Sequence, residues 1–252
     1  MVGFAITDSN ADEFLKDKEL TKPEEYNIQF LGNVSFLTTN LIKVDYIKRG
    51  QPYDKFDAMQ IVVDTSFAGV SATVNKDKSD YNAYLVSGIK FDSLGRPHLY
   101  LLKCETNKLN LIDLVRQISS IWVKFRSKFK ITPRIFVENK TMGGNLIDGI
   151  MTQGLPVEKL NNLLVAKGKV WRARETQIWL EKGIASYDSS SEQVNGLDEL
   201  MAQLMAFTEN DLHSNDDLVD VFCYSVLNIF KAKVNRGVRQ VTDPNLLGAI
   251  GL

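Results

Sequence analysis

Apolar residues occur along this chain in two patterns: short continuous or alternating runs, and longer stretches with helical spacing. Short runs rich in β-branched and aromatic residues, bounded by turn residues, are typical of β-strands. Longer stretches with apolar residues three and four positions apart are typical of amphipathic helices. We predict strands at MQIVVD (59–64), AYLVSGIKFD (83–92), HLYLLKCE (98–105), PRIFVE (133–138) and IASYD (184–188), the second and third joined by a hairpin turn at SLGRP (93–97).

The stretches with helical spacing lie mainly after the hairpin. Gly183 is the predicted C-cap of the third helix, and Trp122 and Trp179 occupy helical core positions, so we assign both to packing. Hairpin strands followed by helical crossovers indicate an α/β fold with a mixed sheet. The predicted helices are NLIDLVRQISSIWVKFRSKF (110–129), GGNLIDGIMTQ (143–153), KVWRARETQIWLEKG (169–183), GLDELMAQLMAF (196–207) and a last one from NDDLVDVFCYSVL (215–227) to about Lys231.

Composition and the distribution of polar, turn-forming segments indicate one main domain. Apolar residues make up 44% and charged residues 24% of the chain, as in an ordinary soluble globular protein. We interpret residues 1–56 as a polar lead-in segment with short helical pieces, 57–235 as the domain and 236–252 as a tail. No apolar run approaches the roughly 20 residues of a membrane span, and the acidic N-terminus does not resemble a secretory signal. Cys104 and Cys223 fit buried thiols in a reducing compartment.

Charge is distributed unevenly, although the formal net charge is only −1. Between Lys124 and Arg174 there are eleven Lys or Arg and three Asp or Glu, whereas residues 183–230 contain nine Asp or Glu and no Lys or Arg. The sequence KAKVNRGVRQ (231–240) is basic again. Basic flanks around an acidic block suit a polyanion held over a cation-filled pocket. Solvated faces of separate helices explain the same pattern.

Acidic residues stand at three comparable places in the predicted fold. Asp64 ends the first strand, Glu138 ends the fourth, and the pair Asp216 and Asp217 opens the last helix. Ligands bind at strand ends in α/β sheets, so Asp64 and Glu138 would lie side by side if their strands are neighbours. Clustered carboxylate oxygens suit Mg²⁺ or Mn²⁺. Two such ions about 4 Å apart can activate water and stabilise the leaving oxygen in phosphodiester cleavage.

The acidic pair also has a simpler explanation. Asp and Asn are favoured helix N-caps, and acids in a first turn interact well with the helix dipole. On this interpretation Asn215 or Asp216 caps the last helix, while Asp217 and Asp220 lie in water. Capping accounts for Asp216 but leaves acids at two strand ends unexplained.

Four motifs together resemble the ribonuclease H-like superfamily and, within it, the nuclease domain of the large terminase subunit of tailed bacteriophages. The resemblance covers residues 58 to about 230. It implies a mixed sheet of five or more strands with helices on both faces. It rests on IVVDTSFAG (61–69), KSDYNAYLVSG (78–88), IFVENKTMGG (135–144) and HSNDDLVDVFCYSV (213–226), in that order.

The resemblance also implies a function and a set of partners. Asp64, Glu138 and Asp217 would be the principal acids that bind Mg²⁺ or Mn²⁺, two ions per site, with Asp216 beside them. The chain would cut concatemeric viral DNA into genome lengths in the cytoplasm of the infected bacterial host. The absence of a GxxxxGK[ST] phosphate loop indicates the nuclease domain without its ATPase motor. Partners would be double-stranded DNA, the small terminase subunit, the portal ring and the ATPase domain.

Several other residues are candidates for accessory roles, each with a structural alternative. Asp220 would hold a water-mediated contact or orient its neighbours. His213 stands two residues before Asn215, which occupies the place where many of these nucleases have a His. Lys140 could contact a phosphate, or it is an exposed lysine at a strand end. Gly143 and Gly144 could let the backbone approach DNA closely, or they simply start a helix. The basic helix start could bind phosphates, or it is a solvated helix face; its residues are Lys167, Lys169, Arg172 and Arg174.

Two kinds of rival function remain open on the sequence. Another ribonuclease H-like enzyme, such as a Holliday-junction resolvase or a transposase core, would share the metal chemistry and differ in substrate. A non-catalytic module that docks DNA or the portal would have no phosphodiesterase activity. For the nuclease we expect weak activity with little sequence preference, and DNA binding that is tighter at low salt.

Overall fold

A computed structural model describes residues 40–50, 53–65, 81–139, 143–188, 195–209 and 216–239, with side chains described as far as Ile229. The chain divides into two compact units at Asn40, and every element below belongs to the second unit, which begins at Leu41. His213 and Lys140, both predicted to lie near the site, are outside the described residues.

Within these ranges, seven strands form one mixed sheet in the order β1-β7-β4-β3-β2-β5-β6. Strands β2, β3 and β4 are an antiparallel meander, while β2–β5, β5–β6, β4–β7 and β1–β7 pair in parallel. The strands are β1 (Lys48–Arg49), β2 (Ala58–Asp64), β3 (Asn82–Phe91), β4 (Pro97–Asn107), β5 (Arg134–Val137), β6 (Val157–Lys159) and β7 (Ala185–Tyr187).

Local sequence explains how the meander turns and how the first helix starts. The Asp92 carboxylate accepts hydrogen bonds from the backbone N–H groups of Leu94 (2.9 Å) and Arg96 (2.8 Å), which closes the predicted hairpin turn. After β4, the side chain of Asn110 caps the first helix by accepting from the amide of Asp113.

Six α-helices and one short 3₁₀-helix, Val44–Tyr46, accompany the sheet in the described ranges. Residues of α1 and α2 share one core with the Met59, Ile61 and Val63 side of β2, whereas α4, α5 and α6 share the other core with Val62. The helices are α1 (Leu111–Phe129), α2 (Gly143–Thr152), α3 (Asn162–Val165), α4 (Lys169–Leu180), α5 (Leu197–Ala206) and α6 (Asp217–Arg239).

The predicted α/β class is therefore confirmed, with a mixed sheet that has helices on both faces. Because both faces are covered, strand β2 is buried continuously from Met59 to Val63. Burial on both sides explains the unbroken apolar run at residues 61–63 of this strand.

The structure adds elements that the sequence pattern did not predict. β1, β6 and α3 have two to four residues each, too few to show a period. The lead-in segment predicted for 1–56 contributes to the domain from Leu41 onward, because apolar side chains there are buried in the two cores. At the other end, α6 continues beyond Lys231 to Arg239, into the predicted tail. The buried lead-in side chains are Leu41, Ile42, Ile47 and Phe56.

Among the described residues, no helix is both long and apolar enough to cross a membrane. Both cysteines, Cys104 and Cys223, are buried free thiols, as predicted. Trp122 is also buried and donates from Nε1 to the carbonyl of Pro133 at 2.8 Å, so its packing role is confirmed.

Gly196, at the start of α5, provides a test of the close contact between α5 and β4. Gly196 has φ +70°, and a Cβ there would lie 2.3 Å from the carbonyl oxygen of Cys104. Gly154 has the same φ, but a Cβ there would meet nothing within 4 Å. We expect Gly154→Ala to cost about 1 kcal/mol, from backbone conformation alone. Gly196→Ala should cost at least about 2–3 kcal/mol, because the β4 backbone must also move.

Urea unfolding followed by far-ultraviolet circular dichroism, analysed as a two-state transition, measures the loss in the free energy of unfolding for each variant. Equal losses for the two substitutions would contradict the close approach of α5 to β4.

Candidate functional site

Asp64 and Glu138 lie side by side at the carboxyl edge of the sheet. Asp64 is the last residue of β2, and Glu138 directly follows β5. The two strands are parallel neighbours with Val63 opposite Val137, and the amide of Glu138 donates to the carbonyl of Val63 at 3.0 Å. The strand adjacency on which the metal-site hypothesis depends is therefore present.

Both acids are on the face of the sheet that α6 covers. Successive strand residues alternate between faces, and Val62 and Phe136, two positions before Asp64 and Glu138, belong to the core shared with α6. Asp64 is half-buried, whereas Glu138 is only 4% exposed. A buried carboxylate requires polar partners.

Tyr224 of α6 supplies one such partner. Its hydroxyl donates to Oε1 of Glu138 at 2.8 Å, and the tyrosine is fully buried. Burial raises the pKa of Tyr224 well above its usual value near 10, and the Glu138 carboxylate raises it further, against the opposing effect of Arg172. The phenol thus keeps its proton at neutral pH and donates to Glu138.

The acids at the start of α6 have different environments. Asp216 directly precedes the helix, and its carbonyl accepts from the amides of Val219 and Asp220. Asp216 and Asp220 are 8% and 5% exposed, while Asp217 is half-buried. The simpler interpretation, in which Asp220 lies in water, is therefore wrong.

Two cations from the start of α4 neutralise Asp216 and Asp220. Lys169 Nζ lies 2.8 Å from Oδ1 of Asp216 and 3.3 Å from Oδ2 of Asp220. Arg172 donates from Nε (3.2 Å) and from Nη2 to Oδ1 of Asp220. Burial by itself lowers the pKa of Lys169, but the carboxylates of Asp220 and Asp216 outweigh it, so the pKa lies above 10.5.

Arg172 links this ion-pair cluster to the tyrosine. Its side chain is 2% exposed, its Nη1 donates to the carbonyl of Lys167, and its guanidinium lies 4.6 Å from the centroid of the Tyr224 ring. A guanidinium over an aromatic face is attracted by the ring quadrupole. The contacts are therefore continuous: Arg172 of α4 bonds to Asp220 and lies against Tyr224, both of α6, and Tyr224 bonds to Glu138 at the end of β5.

These positions change the interpretation of the basic helix start. Arg172 is buried, so its side chain is not a surface contact for DNA, and Lys169 pairs with acids of the same domain. Arg174 is exposed and pairs with Glu209, and the exposed Lys167 lies over the ring of Trp171. Lys167 and Arg174 therefore remain surface candidates.

Only glycine fits at position 143, because the backbone there lies against the backbone of Glu138 in the candidate site. A Cβ at Gly143 would lie 1.9 Å from the carbonyl oxygen of Glu138, whereas the nearest atom to a Cβ at Gly144 is Asn139 Oδ1 at 3.6 Å. Glycine at 143 thus allows α2 to begin against the backbone of Glu138. The predicted approach of DNA to this glycine pair remains a prediction.

The sequence analysis did not single out Tyr224, which lies among the apolar residues of the last helix. A tyrosine among Phe222, Val226 and other fully buried residues needs a partner for its hydroxyl. The acidic residue at the end of a neighbouring strand was the available partner. Opposite charge at the starts of two helices was likewise a signal for the pairing of α4 with α6.

The donor set is chemically suited to a hard divalent cation, since Asp64, Glu138 and Asp217 offer only carboxylate oxygens. In the described part of the chain, no three acidic, histidine or cysteine side chains lie close enough together to hold an ion. Asp64 and Glu138 are adjacent, and Asp217 lies at the start of the helix that covers them.

No protein-family model matches the sequence, and no curated protein matches it. The large terminase nuclease from thermophilic phage G20c is similar over 73% of this chain and 96% of its own, with 13% identity and a TM-score of 0.46. The same nuclease with bound magnesium has 14% identity and a TM-score of 0.45, over 75% of this chain and 95% of its own.

The HK97 bacteriophage large terminase has 10% identity and a TM-score of 0.49. The match covers 89% of this chain and 51% of that protein, so the chain matches about half of its length. All of these likenesses are of overall fold, and at such identities and TM-scores they carry no conclusion about what this chain binds or cuts.

The two arginines of α4 provide a matched test of the ion-pair cluster. Arg172→Met should cost about 3–5 kcal/mol, because it leaves Asp220 buried without its principal cation. Arg174→Met removes only an exposed pair with Glu209 and should cost less than about 1 kcal/mol. Chemical denaturation of both variants measures the difference, and similar small losses would contradict a structural role for Arg172.

Proposed function

We propose that this chain is a metal-dependent endodeoxyribonuclease that cuts concatemeric viral DNA into genome lengths during packaging, as the nuclease domain of a terminase large subunit. The observation that supports it is the adjacency of Asp64 and Glu138 at the ends of parallel neighbours β2 and β5, on the face of the sheet where Tyr224 of α6 contacts Glu138. Capping of α6 does not account for acids at two strand ends.

In this proposal Asp64, Glu138 and Asp217 are the metal ligands. Two Mg²⁺ or Mn²⁺ ions, when bound, supply activation of the attacking water and stabilisation of the leaving oxygen. Glu138 is oriented by the hydroxyl of Tyr224 and by the contact of its backbone with Gly143. Glu138 is almost completely buried there, whereas Asp64 is half-buried.

The role of Asp216 in the proposal differs from the one that the resemblance implies. Because Lys169 already neutralises it at 2.8 Å, Asp216 acts as a ligand only when the ammonium gives up that contact. Asp220 is the anchor of Arg172 rather than a ligand. The ion pairs of Asp216 and Asp220 join α4 to α6, and the proposal keeps Asp217 as the metal ligand that the acidic stretch contributes.

Contacts to DNA in the proposal are mainly to phosphates. Lys167 and Arg174 are exposed on α4 or just before it, and α4 is the helix whose start pairs with the start of α6. Phosphate contacts position a duplex without reading its sequence, which suits cutting with little sequence preference. The small terminase subunit, the portal ring and an ATPase domain are the proposed partners.

The first experiment is cleavage of supercoiled plasmid with Mg²⁺, Mn²⁺, Ca²⁺ or chelator, by the unmodified chain and by three variants. Asp64→Asn and Asp217→Asn should each lower the rate at least about 100-fold, since each removes several kcal/mol of charge stabilisation. Asp198→Asn is the matched control, because Asp198 is also an acid in the first turn of a helix but is exposed on α5.

Loss of cutting in the first two variants alone would support the proposal. No cutting by the folded, unmodified chain with any ion would favour the non-catalytic docking module. Preferred cutting of four-way junctions over linear duplex would favour a resolvase, and strand rejoining would favour a transposase core.

A further inference from the structure

We infer that Tyr224 is a positioning residue for Glu138 and that its hydroxyl sets the orientation in which this carboxylate meets a divalent cation. The inference rests on the proposed function, because it takes Glu138 as a metal ligand. It goes further by assigning a role to a residue outside the acidic set.

The first argument is the geometry of the Tyr224–Glu138 pair. The hydroxyl donates to Oε1 at 2.8 Å, and both side chains are almost completely buried. A buried donor on one carboxylate oxygen restricts rotation of the carboxylate about its last bond. The restriction leaves the two oxygens chemically distinct, one bonded to the phenol and the other outside that bond.

The second argument is that the tyrosine itself is held in place. Its ring lies against the guanidinium of Arg172 at 4.6 Å, and Arg172 is fixed by Asp220 and by the carbonyl of Lys167. Arg172 is among the largest fully buried side chains in the described residues. The ring therefore has a rigid support on its face while its hydroxyl reaches the strand end.

The third argument concerns what such support does for a ligand. Partners that orient a metal ligand commonly change metal affinity or activity by about 10- to 100-fold when they are removed. In this chain the support runs from the ion-pair cluster between α4 and α6 to Glu138. This arrangement gives Asp220 and Arg172 a role in the site although neither is placed among the ligands.

Tyr224→Phe tests the hydroxyl alone, because phenylalanine keeps the ring that packs against Arg172. The chain contains a matched control, since Tyr84 donates to Oε2 of Glu105 at 2.7 Å on the opposite face of the sheet. Tyr84→Phe removes the same kind of bond from a buried tyrosine that pairs with Val63 but whose side chain lies on the face of the sheet opposite the proposed ligands. Binding of Mn²⁺ by calorimetry and thermal unfolding without metal are measured for both variants and the unmodified chain.

We expect Tyr224→Phe to weaken Mn²⁺ binding about 10- to 100-fold and Tyr84→Phe to leave it unchanged, with comparable small losses of thermal stability. Equal Mn²⁺ affinity in the unmodified chain and in Tyr224→Phe would overturn the inference and leave the proposed metal site standing. Weakening by Tyr84→Phe to the same extent would also overturn it, because the effect would then be one of general stability. Failure of the unmodified chain to bind Mn²⁺ would instead overturn the proposed metal site itself.

Discussion

The parallel pairing of β2 with β5 is the constraint on which the candidate site depends. It places Val63 opposite Val137, so the next residues, Asp64 and Glu138, emerge together at one edge. A register slip of one residue would turn a side chain to the other face of the sheet, away from α6. Burial of both faces of β2 and β5 makes such a slip costly, and the position of the two acids is therefore specified by the apolar core.

The second feature that shapes the site is the ion-pair cluster between α4 and α6. Burying charges is expensive unless each has a partner of good geometry, and here the two buried acids share two cations. Arg172 has additional partners in the Lys167 carbonyl and the Tyr224 ring. The cluster fixes the position of α6 over the sheet and, through Tyr224, extends that order to Glu138.

Most elements predicted from the sequence are long, because burial produces a clear pattern only over several residues, although the four-residue β5 and the three-residue β7 were also predicted. The sequence also allowed prediction that Asp64 and Glu138 end strands, because the apolar runs stop there. Short elements such as β1 left no pattern. The pairing of Lys169 and Arg172 with Asp216 and Asp220 was not predicted, because spacing along one helix does not show which helix lies opposite. Tyr224 was missed because a tyrosine fits an apolar helix face as well as a phenylalanine does.

The ion-pair cluster contains two cations and two acids, so it carries no net charge, and most of it is shielded from solvent. Mobile ions screen exposed charges strongly and buried pairs much less. The attachment of α6 to α4 is thus insulated from the ionic strength of the medium. Changes in binding to a polyanion as salt is varied would therefore report the outer surface of the molecule, because its internal architecture stays the same.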